Sequence, residues 1–494
     1  MTQLSKSEYM LFLRHPAWLW LKKHDKSKLP PIDDNTQALF DSGFKFEAYA
    51  EQLFPDATKI GFSDYQSYLT LPRRTDQALK DGHKTLFQAR FESDHITCIT
   101  DVVTLVSHGV LDLYEIKSST ETKTAHKLDL AFQSSVLEGA GFQVRKIYVV
   151  HVNNQYTRAG DIDISKFTQV VDVTESVKEL QDQTTQDIAR ALEVASSKTC
   201  PDISPAHVGL GAMKDWLEVY KNLRPIEPGS IYELASITPV QAAKLEADGV
   251  KTLIDIPEDL SLTESQSRQL SATIAGQVLI DPKKIKEFLS ALTYPLYFLD
   301  YETMAGVVPY FDGMRPYQQV PFQYSLHILD APGAKLRHTQ YLHRDTSNPT
   351  RPISEALKRG IGTTGTVLAW WDTFEKSCNT ALGVLEPDFI DFFELLNHRM
   401  KDLMVPFSNG WYVDKNFHGS ASIKKVLPVL IPELSYDKLG IHEGGTAQRL
   451  WMEAVLDNSR PKEKTQILAD LDEYCALDTL AMVRIFEKLS QVVA

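Results

Sequence analysis

The chain has few cysteines, and none of them forms a pair with metal-ligand spacing. Its four cysteines are scattered over 494 residues, with no C-x-x-C motif among them. A disulfide framework, a structural zinc site and an iron–sulfur cluster are therefore not expected. The sequence also has no apolar run long enough to cross a bilayer, and its first residues lack the apolar core of a signal peptide. We expect a cytoplasmic protein without a membrane partner.

The chain also lacks an excess of positive charge. Lysine and arginine number 52 against 65 aspartate and glutamate residues, which gives a formal net charge of −13. This balance argues against strong non-specific binding of nucleic acid. It does not exclude an enzyme that acts on nucleic acid, because acidic metal ligands add negative charge and bound cations change the local field.

Chain length and apolar pattern predict a multi-domain α/β protein. One hydrophobic core seldom extends over 494 residues, so two or three domains are expected. Residues 1–200 mix helical and strand patterns, residues 201–288 are mostly helical and favour a connector, and residues 289–494 place strands before helices. The connector faintly resembles a helix-hairpin-helix unit, with Thr238-Pro239 in place of the usual glycine-rich hairpin.

Apolar spacing also predicts individual elements within each region. In the first region we expect helices over residues 9–23, 40–54 and 127–138, and strands over residues 96–106, 111–116 and 146–152. In the connector we expect helices over residues 234–245 and 260–274. In the last region we expect strands ending at residue 300 and covering residues 321–329, 336–342 and 366–371, and a final helix over residues 464–492.

Acids near the C-terminal end have the spacing of divalent-metal ligands. Asp300 and Glu302 close an apolar run, and alternate residues of a strand face the same way, so their carboxylates lie side by side. Their repulsion must be offset by protons or cations, and Mg²⁺ or Mn²⁺ suits an all-oxygen set. Farther along, Glu375 follows an aromatic residue at a predicted helix entrance, and Tyr474 and Asp478 share one helix face. Solvated surface charge is the alternative interpretation.

This set resembles the ribonuclease H-like exonucleases whose four acids come from three motifs, in the subclass with Tyr before the last Asp. The first motif matches at Asp300 and Glu302, and the third at Tyr474 and Asp478. The second motif departs from the family, because Glu375 stands where Asp is usual. The resemblance implies a ribonuclease H-like α/β domain that trims strands from a 3′ end with two metal ions. Tyr474 would then orient or deprotonate the attacking water.

Four basic or aromatic residues of the last region are candidates for nucleic-acid contacts. Arg315 and Tyr317 precede a predicted strand and would contact a strand end by ion pairing and stacking. Lys424 and Lys425 would contact phosphates. A structural turn and solvated lysines are the alternative interpretations.

A second set of candidate ligands lies in the first region. Asp101 lies on one strand of a predicted hairpin, and Glu115 and Lys117 share a face of its partner. Two acids hold a cation, and a lysine beside them stabilises the phosphate or positions water. Glu47, on the preceding helix, would complete the metal shell, and Gln133 lies on the following helix. Taken alone, the E-x-K pair also fits a solvated strand.

These residues resemble the RecB-like branch of the PD-(D/E)xK nucleases, which includes the small CRISPR adaptation nucleases. The resemblance covers Glu47, Asp101, Glu115, Lys117 and Gln133. It implies a restriction-endonuclease-like α/β domain. Many relatives bind an iron–sulfur cluster through an early cysteine and a later group, but His15 stands at the early position here and Cys200 stands alone. We therefore expect no cluster, and a domain stabilised by packing.

Taken whole, the sequence resembles a prokaryotic family of unassigned biological role. Its members join an N-terminal RecB-like PD-(D/E)xK nuclease domain to a C-terminal ribonuclease H-like exonuclease domain. The supporting strings are YFLDYETM at residues 297–304, RPYQQVPFQYSLH at residues 315–327, KKVLP at residues 424–428 and YCALDTLAMV at residues 474–483. The resemblance covers most of the chain and is weakest in the connector.

The resemblance implies a metal-dependent nuclease with a centre in each end region and with Mg²⁺ or Mn²⁺ as cofactor. DNA is the favoured substrate because the N-terminal resemblance is to DNA enzymes, and RNA is the alternative. Two other functions remain open at this point. One is a one-site nuclease whose N-terminal domain only binds nucleic acid, and the other is a non-catalytic nucleic-acid-binding scaffold.

Overall fold

Each of the two units into which the chain folds contains a mixed β-sheet. The computed structural model describes residues 3–436 and 439–494. The first unit comprises Met1–Glu227 and Ile237–Gly249, and the second comprises Pro228–Ser236 and Val250–Ala494. The prediction of a multi-domain α/β protein is confirmed. The segment predicted as a connector, residues 201–288, contributes to both units.

The first unit contains a seven-stranded sheet. Its strands are β1 (Leu4–Ser5), β2 (Thr58–Lys59), β3 (Thr85–Ser93), β4 (Ile96–Ser107), β5 (Val110–Lys117), β6 (Gln143–Val152) and β7 (Thr168–Asp172). They follow the order β2-β3-β4-β5-β6-β7, and β1 pairs in parallel with β4. Strands β3, β4 and β5 are successively antiparallel, whereas β5 and β6 are parallel. The predicted hairpin is confirmed, and Gly109, with φ +70°, lies in its turn.

One helix of the first unit, α6, is deeply buried and packs against the sheet. The helices of this unit are α1 (Lys6–Arg14), α2 (Pro16–His24), α3 (Asp34–Ala50), α4 (Tyr65–Leu69), α5 (Leu71–Lys80), α6 (Thr124–Gly139), α7 (Ile164–Phe167), α8 (Thr174–Lys178), α9 (Gln181–Ser196), α10 (Met213–Leu223) and α11 (Pro239–Ala247). Leu130, Phe132 and Val136 of α6 belong to the core shared with the sheet. Because its apolar side is held in this core, α6 turns its polar side chains Asp129 and Gln133 toward the end of β5.

The prediction of one helix over residues 9–23 is wrong, because these residues form two helices. Pro16 has no backbone N–H and disfavours helical geometry at the residue before it, so α1 ends and His15 is extended, with φ −167°. The side chain of His15 then caps α2, since its Nδ1 accepts a hydrogen bond from the Ala17 N–H at 3.1 Å. Its Nε2 donates to the Ser204 carbonyl at 3.0 Å.

The ring of His15 also completes a small apolar core. It stacks on Trp216, with ring centroids 3.6 Å apart and an interplanar angle of 10°. Cys200 packs against the cluster to which this tryptophan belongs. The other buried members of the cluster are Ala17, Leu21, Val208, Ala212 and Val219. Both His15 and Cys200 therefore contribute to packing in this part of the unit.

The second unit contains a five-stranded sheet and a separate two-stranded one. The strands are β8 (Leu279–Ile280), β9 (Leu296–Met304), β10 (Val320–Leu329), β11 (Arg337–Leu342), β12 (Thr366–Ala369), β13 (Met400–Asp402) and β14 (Tyr412–Val413). The larger sheet has the order β11-β10-β9-β12-β13, and β8 pairs with β14. Strand β9 is antiparallel to β10 and parallel to β12. The four predicted strands are confirmed, although β12 ends two residues early.

The last helix of the second unit is long, and its predicted bounds, residues 464–492, are confirmed. The helices of this unit are α12 (Glu264–Ala275), α13 (Pro282–Ser290), α14 (Thr350–Gly360), α15 (Asp372–Leu385), α16 (Ile390–Arg399), α17 (Val405–Ser408), α18 (Ile423–Leu430), α19 (Gly444–Trp451) and α20 (Lys464–Val492). A π-helical turn, Met452–Leu456, follows α19. Among the helices of the described residues, none has the length and apolar character needed to span a lipid bilayer.

Alternation along β9 divides its side chains between two apolar cores. Phe298 lies in the core that includes α20, where its ring centroid is 5.7 Å from that of Phe486. Leu299 lies in the core formed with α14, α15 and α16. Because successive side chains of a strand point to opposite faces, Asp300 and Glu302 share the face of Phe298 and lie toward α20.

We expect His15 to make the first unit sensitive to acid. Burial lowers the pKa of His15 to about 4, although the Ser204 carbonyl acts in the opposite direction. The unfolded chain has an ordinary histidine pKa of about 6.5, so it binds the proton more readily between these two values. The stability that the neutral ring contributes is therefore fully present above about pH 6.5 and is lost as the pH falls toward about 4.

A His15→Gln variant tests this expectation, because glutamine keeps a donor and an acceptor but does not titrate. Between pH 7 and pH 5, its free energy of unfolding should fall by about 2 kcal/mol less than that of the wild type. Urea unfolding followed by tryptophan fluorescence measures the difference, with the exposed His108→Gln as the control variant. Equal pH dependence of the His15→Gln and wild-type proteins would contradict the expectation.

Candidate metal centres

Strand β9, helix α15 and helix α20 bring the C-terminal motifs together. Asp300 and Glu302 face α20, where Tyr474 and Asp478 lie one turn apart. Glu375 comes from the first turn of α15. All five side chains line one cavity of about 370 Å³. Residues predicted from three separate motifs therefore form one cluster.

The carboxylates of this cavity repel one another, and those of Glu302, Glu375 and Asp478 are buried while Asp300 is half-buried. Burial, followed by the charges of Asp478 and Glu302, raises the pKa of Asp300 well above its usual value. Burial and then Asp478 raise the pKa of Glu302 in the same way. Burial raises the pKa of Asp478 to about 6 and that of Glu375 to about 8. A divalent cation would stabilise the charged forms of all four groups.

The donor atoms of the cavity suit a hard cation. The ligand atoms of Asp300, Glu302 and Cys475 lie within 4.8 Å of one another. Burial and then Asp300 raise the pKa of Cys475 well above its usual range, and its sulfur lies 3.8 Å from Asp300 Oδ2. The buried Oε2 of Glu375 has no hydrogen-bond partner among the described residues. Carboxylate ligands and an unpaired buried oxygen fit Mg²⁺ or Mn²⁺.

Tyr436 is a residue of this cluster that the sequence analysis missed. Its O–H donates to Asp478 Oδ1 at 2.5 Å, and its ring centroid lies 6.1 Å from that of Tyr474. The Lys424 ammonium lies 5.6 Å and 5.5 Å from the Tyr436 and Tyr474 ring centroids, and it donates to the His442 carbonyl. Tyr436 lies in a segment without a recognisable motif, so no local pattern could identify it.

The four predicted nucleic-acid contacts separate in the structure. Lys424 lines the cavity, whereas Lys425, the next residue of α18, is exposed. Arg315 and Tyr317 are exposed in the turn before β10. There the Arg315 N–H donates to Gln318 Oε1, and Tyr317 has φ +58°. Of these four predicted contacts, Lys424 alone borders the acidic cavity.

Trp371, directly before α15, is held in a backbone conformation that bulky residues rarely adopt. Its φ is +70° and its ψ is +63°. Its N–H donates to Asp402 Oδ1 at 3.0 Å, and the same oxygen accepts the Met404 N–H at 2.8 Å. The side chain is 55% exposed and borders the cavity beside Phe374, to which its ring is nearly parallel. Local strain and an exposed aromatic ring beside buried acids are typical of a binding site.

The first unit brings a second group of charged side chains together. Asp101 lies on β4, Glu115 and Lys117 lie on β5, and Asp129 and Gln133 lie on α6. Lys117 Nζ is 2.5 Å from Glu115 Oε1 and 3.2 Å from Asp129 Oδ2. Gln133 Nε2 donates to Glu115 Oε2 at 2.8 Å and to Asp129 Oδ1 at 3.0 Å. This orientation leaves the buried Gln133 Oε1 without a hydrogen-bond partner in the described part of the chain.

Two further residues differ from what the motifs led us to expect. Glu47, on α3, accepts a hydrogen bond from Gln88 Nε2 at 3.2 Å, and it is not an ion-pair or hydrogen-bond partner of the group just described. Lys6, which no motif includes, has its Nζ 2.8 Å from Glu115 Oε1 and 3.9 Å from Asp129 Oδ1. Lys6 precedes Glu115 by 109 residues, so only the folded chain reveals the contact.

The two lysines offset much of the negative charge in this group. Burial and then Glu115 raise the pKa of Asp101 to about 7. Burial would also raise the pKa of Glu115, but Lys117 and Lys6 outweigh it and lower that pKa. Burial opposes the charged form of Lys117, yet Glu115 and Asp129 raise its pKa. The group therefore contains one glutamate that is already ion-paired and an aspartate whose charge is poorly compensated.

Part of the second unit matches a described protein family. The family whose description is "Domain of unknown function (DUF2779)" matches residues 297–422. The matched segment includes Asp300, Glu302 and Glu375 and ends before α20. It is less than half of the 494-residue chain, and the description assigns no activity. No curated protein matches the chain.

If Asp300 holds a divalent cation, a neutral isostere should affect stability and metal binding in opposite directions. In Asp300→Asn, loss of the repulsion from Asp478 and Glu302 should raise the free energy of unfolding of the metal-free protein by about 1 kcal/mol. The same change should reduce the number of Mn²⁺ ions bound per chain. Urea unfolding without metal and equilibrium dialysis with Mn²⁺ measure the two effects.

A matched control for this prediction lies on the same helix as Asp478. Asp472 pairs with Arg344 at the surface, with 2.7 Å between Oδ2 and the guanidinium. Asp472→Asn should leave Mn²⁺ binding unchanged and should not stabilise the protein. An Asp300→Asn protein that binds as much Mn²⁺ as the wild type would refute the assignment of this side chain as a ligand.

Proposed function

We propose that the protein is a metal-dependent nuclease that hydrolyses phosphodiester bonds by two-metal chemistry in the second unit. The observation that supports this most directly is the convergence of four acids, from one strand and two helices, on one cavity. They are Asp300, Glu302, Glu375 and Asp478. The proposed fold is ribonuclease H-like, and the proposed activity is trimming from a 3′ end. DNA is the proposed substrate, with RNA as the alternative.

Each side chain around the cavity would have a separate role in phosphodiester hydrolysis. Mg²⁺ or Mn²⁺, when bound, would supply an activated water and stabilise the leaving oxygen. The four carboxylates would hold the ions. Burial and then Asp478 raise the pKa of Tyr474, so its phenol is suited to orient the attacking water as a hydrogen-bond donor. Lys424 borders the same cavity and would pair with a phosphate of the strand end.

We also propose a PD-(D/E)xK centre of restriction-endonuclease-like fold in the first unit. Asp101 and Glu115 would hold a divalent cation there, and Lys117 would stabilise negative charge on the phosphate. Gln133 holds the Glu115 carboxylate through its amide, with Nε2 2.8 Å from Oε2. Glu47 would join the metal shell only by exchanging its hydrogen bond with Gln88.

One alternative is favoured by specific contacts in the first unit. Glu115 already pairs with two lysines, Lys6 and Lys117. Glu47, the other predicted glutamate ligand, is bonded to Gln88. Both features fit a one-site nuclease whose first unit binds nucleic acid without cutting it. A non-catalytic scaffold would instead bind nucleic acid and cut nothing at either centre.

Separate substitutions distinguish these functions. Asp300→Ala should lower 3′ trimming by about a hundredfold or more, because one ligand shared by the proposed ions is lost. Lys117→Ala should leave that trimming intact and should lower the remaining cleavage by a similar factor. End-labelled DNA and RNA, each with Mg²⁺ or Mn²⁺, measure both activities.

Two surface residues serve as controls for these substitutions. Asp472 and Lys146 each form an exposed or half-exposed ion pair and belong to neither set of proposed ligands, and alanine at either should change neither activity. If Asp300→Ala abolished all cleavage and Lys117→Ala changed none, the first unit would be a binding domain. If no substrate were cut by the wild type, the scaffold alternative would hold.

We expect Trp371 to bind the terminal base of a single strand by stacking. Stacking of a base on an aromatic ring contributes about 1–3 kcal/mol, so Trp371→Ala should raise KM by about tenfold or more with little change in kcat. Trp371→Phe should recover most of the loss. A substrate whose 3′-terminal nucleotide lacks its base is the control, because wild type and Trp371→Ala should then have the same KM. An equal KM difference with this abasic substrate would rule out stacking.

A further inference from the structure

Lys6 reaches the proposed centre of the first unit from the first turn of α1. The pairing of β1 with β4 places Ser5 opposite Thr97. Ser5 then caps α1 in a reciprocal capping box with Glu8. Lys6 follows directly, and its side chain is 22% exposed. The sheet and the start of the helix thus determine where its ammonium group lies.

The carboxylate of Glu115 has little capacity left for metal ions. Its Oε1 accepts from the ammonium groups of both Lys6, at 2.8 Å, and Lys117, at 2.5 Å. Its Oε2 accepts from the Gln133 amide at 2.8 Å. An ion that used this carboxylate fully would have to displace one of these donors. A site for two ions, in which shared carboxylates bridge both, is therefore hard to form here.

The net charge of the group also disfavours a second ion. Three acids, Asp101, Glu115 and Asp129, lie with two lysines, Lys6 and Lys117, which leaves one uncompensated negative charge. One divalent cation would more than neutralise that charge. A second cation would leave a large positive excess in a mostly buried group, which is unfavourable.

One ion, by contrast, would find suitable ligand atoms. Asp101 accepts the Ile116 N–H on Oδ2 at 2.7 Å, and, unlike Glu115 and Asp129, it forms no ion pair with Lys6 or Lys117. Gln133 is fully buried, and its Oε1 has no hydrogen-bond partner among the described residues. The Nε2 of this amide donates to Glu115 and Asp129, so Oε1, which is bonded to the same amide carbon, lies at the edge of the group and can accept a cation.

We infer that Lys6 takes the place of a second divalent cation in the first unit, so that this centre binds a single Mg²⁺ or Mn²⁺ ion. The inference rests on the proposed function for the metal-binding role of Asp101 and Glu115. Lys6 is a positioning residue in this arrangement, because it acts on the ion through Glu115. The second unit differs, since the Lys424 ammonium there donates to a backbone carbonyl and not to an acid.

Counting bound metal tests the inference without relying on cleavage. In the 494-residue chain, Asp300→Asn, Glu302→Gln, Glu375→Gln and Asp478→Asn together remove the four carboxylate ligands proposed for the second unit. Mn²⁺ is then added to the metal-free protein, and free Mn²⁺ is measured by electron paramagnetic resonance. We expect a single bound ion per chain. Two ions, or none, with Lys6 in place would overturn the inference.

Substitution of Lys6 in the same background gives a second measurement. Lys6→Met should bind Mn²⁺ at least about tenfold more tightly, because an uncharged side chain of similar length does not compete for Glu115 Oε1. Lys6→Arg, which keeps the charge, should retain the wild-type affinity and the single ion. Lys23→Met is the matched control: the Lys23 ammonium, on α2, pairs with Glu8 of α1 at 2.7 Å, and its loss should leave Mn²⁺ affinity unchanged.

Unchanged or weaker Mn²⁺ binding by a folded Lys6→Met protein would overturn the inference. If circular dichroism shows that this variant does not fold, the ion count with Lys6 in place and the Lys6→Arg affinity decide the matter. The result is separable from the test of the nuclease. Two bound ions would refute the inference and leave the proposed nuclease intact, whereas a variant that binds one ion and cuts nothing would refute only the nuclease activity of the first unit.

Discussion

Repulsion between buried carboxylates is the constraint on which both candidate centres depend. In the second unit, Asp300, Glu302 and Asp478 meet in a cavity whose walls are packed sheet and helix, and the apolar cores on both faces of the sheet offset the cost of burying them. In the first unit, the ammonium groups of Lys6 and Lys117 offset part of the charge directly. The two units therefore offset the repulsion between carboxylates in different ways.

Periodicity within single elements was enough to predict much of the second centre. Alternation along a strand predicted that Asp300 and Glu302 share a face, and the helical repeat predicted the same for Tyr474 and Asp478; both are observed. The first unit's hairpin and its buried helix followed from turn residues and apolar spacing in the same way. The break at Pro16 also had a signal in the sequence, because proline disfavours a continuous helix.

Contacts between distant segments could not be predicted in this way. Lys6 reaches Glu115 only because a short parallel pairing brings the start of the chain to the sheet. Tyr436 reaches Asp478 from a segment without a motif. Glu47 was expected in the metal shell from its place on the preceding helix, but the structure pairs its carboxylate with Gln88. In each case the partner is determined by tertiary packing, which no local spacing encodes.

The carboxylate of Asp402 links a turn outside the acidic cavity to one of the acids inside it. By accepting the N–H groups of both Trp371 and Met404, it joins the end of β13 to the residue from which α15 starts. Glu375 lies in the first turn of that helix. A molecule that displaced the turn after β13 would therefore move Glu375 as well. The position of this buried carboxylate therefore depends on a loop outside the cavity, through two backbone N–H groups that share one side-chain oxygen.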